Sequence, residues 1–128
     1  MFTVIFIIFL FMTFIISRLG AYTLHDHEGY KIKNEKSKTL TGIVRRKSGL
    51  DIHHIHFGII ILLLVIPFVL IKGVHLISTI LLSVGISLFI DQIVPYIFKK
   101  TDYFSFRDFL VSLFLHIFVA LIVLLRIF

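Results

Sequence analysis

Cysteine is absent from the 128 residues. That excludes a disulfide framework, a thiolate metal site and a cysteine nucleophile. A glycine-rich nucleotide loop, a serine-elbow motif, an internal repeat and a low-complexity tail are missing as well, and the apolar runs lack the two-residue alternation of a transmembrane β-barrel. Acidic residues are few, 7 Asp and Glu against 13 Lys and Arg, for a formal net charge of +6. What is abundant is apolar surface: 59% hydrophobic residues including 15 Phe, and a mean hydropathy of +1.07. Those values exceed the apolar share of a soluble domain and point to lipid as the solvent.

A hydrocarbon core about 30 Å thick needs roughly 20 apolar helical residues, so spans can be counted. Four emerge, at about 2–22, 57–71, 74–98 and 109–127. The first is expected to carry Arg18 reaching back to the interface. Its amino end, Met1-Phe2-Thr3-Val4, has no positive charge, so it reads as a retained helix and not as a signal peptide. The second is interrupted only by Pro67 and stops at Lys72-Gly73, and the third contains Asp91 and Pro95. The expected fold is all-α: an integral membrane bundle of four transmembrane helices in a single domain, 1–128, with a polar loop at 23–56.

Eleven of the 13 basic residues fall in the first and third loops or at their edges. By the positive-inside rule those loops are cytoplasmic and both termini extracytoplasmic, in a multi-pass protein of the cell membrane. The expected partners are the bilayer, anionic lipid headgroups at the basic loop, and a homo-oligomer or larger membrane complex. Nucleic acid is not expected, because no basic recognition helix or aromatic platform accompanies the charge. Within the loop, Tyr30–Lys33 and Leu40–Val44 flank the turn-prone Asn34-Glu35-Lys36-Ser37, a pattern that suits a short hairpin.

The chemistry-bearing residues gather where Leu50-Asp51-Ile52-His53-His54-Ile55-His56-Phe57-Gly58 enters the second span. With Asp51 as N-cap, His53 and His54 occupy the first turn, and His56 shares a face with His53. The third span carries Thr79, Ser83, Ser87 and Asp91 at four-residue steps. A carboxylate such as Asp91 would cost roughly 2.5 to 3.5 kcal/mol against lipid at mid-membrane, so this stripe should face protein or water. The fourth span carries Ser105, Asp108, Ser112 and His116 at steps of three, four and four. Together these predict a cytoplasmic-side metal site for a divalent ion, zinc first, with Fe²⁺ or Mn²⁺ if more oxygen ligands join. His53 and His56 would be ligands, Asp91 and His116 further ligands or a catalytic base, Asp108 would orient an imidazole, and His54 would sit just outside the ligand set. Retained water at an open position would permit hydrolysis of a membrane-embedded substrate.

Plainer roles compete. The three imidazoles suit an interfacial cap, Asp91 a salt bridge to Arg107 or a lysine, Ser105 and Asp108 a Ser-x-x-Asp helix start, and the serines close helix packing. His116 suits a satisfied core histidine equally well, His25-Asp26-His27-Glu28 a solvated run, and His75 the opposite interface. Two further functions fit the same residues. One is a proton- or cation-coupled transporter or channel component built on Asp91, His116 and the stripe, and the other is a structural accessory subunit. Leu50 to Gly58, with Gly85 to Asp91 downstream, resembles small prokaryotic, archaeal-type polytopic membrane proteins with His-His-x-His-x-Gly at the start of a helix. That resemblance covers the second and third spans and implies a functional family without supplying a reaction.

Overall fold

A computed structural model describes residues 1–24, 54–97 and 105–125. These form four helices: α1 (Phe2–Leu24), α2 (His54–Lys72), α3 (Leu76–Ile97) and α4 (Phe106–Leu124). All four are long and apolar enough to cross a membrane. At 1.5 Å per residue they run about 28 to 34 Å, the thickness of a hydrocarbon core. No strand occurs among the described residues. The possible hairpin in the first loop, Asp51 and His53 lie outside them.

Local chemistry sets the helix ends. Gly73 adopts φ +81°, and its N–H donates to the Val69 carbonyl at 2.8 Å, closing α2 with a left-handed cap that suits glycine. Lys72 stands in the last turn, at the negative end of the helix. After two more residues α3 begins, with Ser78 Oγ accepting from the His75 N–H at 2.8 Å and donating to the His75 carbonyl at 2.9 Å. So short a connection makes α2 and α3 antiparallel neighbours. At α4, Ser105 is the N-cap and its Oγ accepts from the Asp108 N–H. This Ser-x-x-Asp start opens the helix at Phe106, ahead of the apolar run from Phe109, because a cap and not hydropathy decides where a helix begins. In the same way α2 begins at His54, so His54 and His56 lie in its first turn.

α3 is the hub. It packs against α1, α2 and α4; α1 also touches α4, whereas α2 touches α3 alone. The interior is more polar than the exterior. Phe6, Leu10 and Phe14 of α1 are buried, as are Thr79, Ser83, Ser87 and Asp91 of α3 and Asp108, Ser112 and His116 of α4. The outward faces carry exposed Ile, Leu and Phe along every helix. Between apolar helices in an apolar solvent the hydrophobic effect gives little association, so close packing and buried hydrogen bonds hold the bundle.

Glycine permits the closest of these approaches. A Cβ on Gly58 of α2 would stand 2.9 Å from the Gly85 carbonyl oxygen and 2.9 Å from the Phe89 nitrogen, both backbone atoms of α3. A Cβ on Gly85 would meet side-chain carbons of Leu62 at 3.0 Å and of Ile61 at 3.1 Å. Side chains can move aside, but backbone can yield only if the helices separate. Gly58→Ala should therefore lower the thermal midpoint in detergent by several degrees, despite the gain of about 1 kcal/mol in helix propensity. Gly85→Ala should lower it less. Equal midpoints for Gly58→Ala and the unaltered protein would show that α2 does not cross α3 at this contact.

Candidate functional site

The four-residue steps in α3 and α4 turn into two facing ladders. Counted from the helix ends nearest the first and third loops, Arg18, Asp91 and Ser112 each lie about 9 Å inward, Ser87 and His116 about 15 Å, and Asp108 about 3 Å. Residues of matching depth on adjacent helices can meet, and two rungs do.

On the first rung Arg18 Nε donates to Asp91 Oδ1 at 2.7 Å, and Ser112 Oγ donates to the same oxygen at 3.0 Å. Ser17 Oγ stands 3.2 Å from Asp91 Oδ2 and 3.0 Å from the Phe14 carbonyl, so its single proton is shared between two acceptors. Arg18 and Asp91 are 5% and 1% exposed, which makes this a buried, charge-assisted contact. On the second rung His116 Nδ1 lies 2.7 Å from the Ser112 carbonyl and Nε2 lies 3.0 Å from Ser87 Oγ. A carbonyl only accepts, so Nδ1 carries a proton, and Nε2 is left to receive the Ser87 hydroxyl. The rungs share Ser112, whose hydroxyl serves Asp91 and whose carbonyl serves His116.

Phe14 closes the cluster on the α1 side. Its ring centroid lies 4.5 Å from that of His116 and 5.6 Å from that of Phe109, with Arg18 Cζ 5.8 Å away over the ring face. Further along α3, Ser83 and Thr79 return their hydroxyls to the carbonyls of Ile80 and His75. They make a small-residue packing face, not a chain of linked hydroxyls. Asp108 is 1% exposed, yet its Oδ2 makes no hydrogen bond, and the same holds for Nη2 of Arg18.

Arg18 corrects the sequence-based expectation that it reaches the interface: it turns inward because Asp91 waits at equal depth on the parallel helix α3. Asp91 thus has Arg18 as a counter-ion at 2.7 Å, a role for which Arg107 or a lysine was expected. A basic residue near the end of one span and an acidic residue near the end of another on the same side was the available signal; their equal depth emerges only with the helix ends of the structure. Of the expected metal donors, Asp91 and His116 come together in one cluster and Asp108 shares their face of α4. His56 is exposed on α2, a helix that touches neither α1 nor α4; His54 is in the same first turn, and His53 lies outside the described residues. Among the described residues no three His, Asp or Glu side chains form a group able to hold a metal. The cluster itself fits a divalent ion poorly, because a guanidinium already sits on the oxygen such an ion would need.

Comparison with protein-family models, with curated proteins and with solved structures yields no match.

Breaking a buried pair by removing one partner typically costs about 3–5 kcal/mol, whereas replacing both with apolar residues can be neutral. Arg18→Leu should therefore lower unfolding stability in detergent by about that amount, and Arg18→Leu/Asp91→Leu should recover most of the loss. Strictly additive losses in the double variant would mean that the two groups do not interact.

Proposed function

We propose that this chain is a proton- or cation-handling membrane component, with Asp91 as the group that exchanges positive charge. One observation carries the reading: the Arg18–Asp91 pair is buried among three helices and joined through Ser112 to His116. Ionisable groups within a span are costly and mark ion pathways and proton relays. In the proposed orientation the basic loops are cytoplasmic and both termini extracytoplasmic, so the cluster lies in the cytoplasmic half of the bilayer. The exposed apolar faces then meet lipid, and anionic headgroups meet the basic loop. Four helices of this length enclose little volume, so the pathway is completed by further copies or by a larger complex.

A metal-dependent hydrolase of a membrane-embedded substrate is the second reading, favoured by Asp91 and His116 lying one rung apart. It requires Arg18 to leave Asp91 Oδ1 and His53 to join them, since His56 is exposed on a helix that touches neither α1 nor α4. Stoichiometric zinc in the purified protein, lost in His53→Ala/His56→Ala, would establish it, and metal-free active protein would remove it.

The leading reading is tested in proteoliposomes under an imposed proton or sodium gradient. Flux above that of empty vesicles is expected for the unaltered protein and should vanish in Asp91→Asn. Background flux in the unaltered protein, or undiminished flux in the variant, would overturn it.

A further inference from the structure

Two buried carboxyl groups in one bundle, set in different surroundings, take different protonation states. Asp91 is fully engaged at Oδ1, which accepts from Arg18 Nε and Ser112 Oγ, so both lone pairs of that oxygen are taken. Asp108 is buried to the same degree, at 1% exposure, yet its Oδ2 accepts nothing.

A first-turn aspartate is ordinarily held as the carboxylate by the N–H groups of the helix start, to which its side chain returns a hydrogen bond. At α4 Ser105 Oγ accepts from the Asp108 N–H at 3.2 Å, while Asp108 Oδ2 is sealed from solvent without a donor. α4 packs on α1 and α3. The buried ionisable groups those helices bring, among the described residues, are Arg18 and Asp91, with His116 two turns deeper on α4 itself; Arg107, next to Asp108, is exposed. None of them donates to Oδ2.

In a low-dielectric interior an ionised group left in that state is costly, and it takes up a neutralising ligand instead. A hard metal cation gathers several oxygens about one point, and those of Asp91 are drawn to Arg18, Ser112 and Ser17. A proton needs only the one oxygen that stands open. Position gives that proton a use. Asp108 lies about 3 Å from the loop-side end of α4, Ser112 about 9 Å and His116 about 15 Å, all on one face because residues four apart stack. Ser112 in turn serves Asp91 through its hydroxyl and His116 through its carbonyl.

We infer that the ion handled by this cluster is the proton and that Asp108 is its loop-side binding site. The inference rests on the reading of the cluster as an ion-handling site and names the ion. Asp108 Oδ2 takes a proton from water on the loop side and stands as the neutral acid, and Asp91, ionised beside Arg18, is the next carboxyl group inward.

The test is infrared spectroscopy of the full chain in lipid near neutral pH, with aspartate unlabelled or isotope-labelled at Cγ. A carbonyl band of a protonated carboxylic acid should shift with the label, weaken reversibly as the pH is raised, and be lost in Asp108→Asn. Asparagine has nearly the shape of the neutral acid, so this variant should keep the thermal midpoint of the unaltered protein while losing its proton flux in proteoliposomes. The inference is overturned if the unaltered protein shows no label-sensitive acid band, if the band survives in Asp108→Asn or stays constant up to the pH of unfolding, or if the variant unfolds at a markedly lower temperature or keeps its proton flux. Transport fails separately: an Asp108 acid band without any flux refutes transport and leaves the proton site, whereas sodium-driven flux without an acid band leaves ion handling and refutes the proton site.

Discussion

The contact between Arg18 and Asp91 is the constraint on which the rest of the bundle depends. Two opposite charges about 9 Å inside their helices cannot face hydrocarbon, so α1 and α3 must lie side by side, parallel, with those two turns level. That requirement places the hydroxyls of Ser17 and Ser112 around the carboxylate. It thereby brings the start of α4 against the ends of α1 and α3, and His116 follows one turn deeper on Ser87. The polar interior and the apolar exterior are two consequences of one pairing in a low-dielectric solvent.

α2 is held by different physics. Among the described residues it touches neither α1 nor α4, and its attachment to α3 rests on a short turn capped by Gly73 and on backbone approach at Gly58 and Gly85. The molecule thus divides into a three-helix group that carries the chemistry and a fourth helix packed by shape. Because α3 separates α2 from α1 and α4, the imidazoles at the start of α2 do not share a site with His116 among the described residues.

Much of this was legible before any coordinates. Unbroken apolar runs of the right length marked four helices, because a backbone in lipid must satisfy itself internally. Steps of four placed Thr79 to Asp91 on one face of α3 and Asp108 to His116 on one face of α4, and the Ser105-x-x-Asp108 pattern marked the start of α4. Neighbour relations were harder to read. Hydropathy does not say which helices touch, so nothing forbade joining His56 to His116, and Arg18, lying near a span end, matched the snorkelling habit of long basic side chains. Matching depths between opposite charges would have revealed its partner, but only once α1 and α3 were taken as parallel neighbours. Asp108 presented the opposite problem: its capping pattern explained its backbone and concealed its unsatisfied carboxyl.

The claim beneath this account is that Arg18 and Asp91 are in contact within the bilayer. Solid-state NMR dipolar recoupling, with arginine Nε and aspartate Cγ labelled in the full chain in lipid, measures that contact directly. The 2.7 Å separation of Nε and Oδ1 predicts strong dephasing from one arginine that disappears in Asp91→Asn; no dephasing in the unaltered protein would contradict the account.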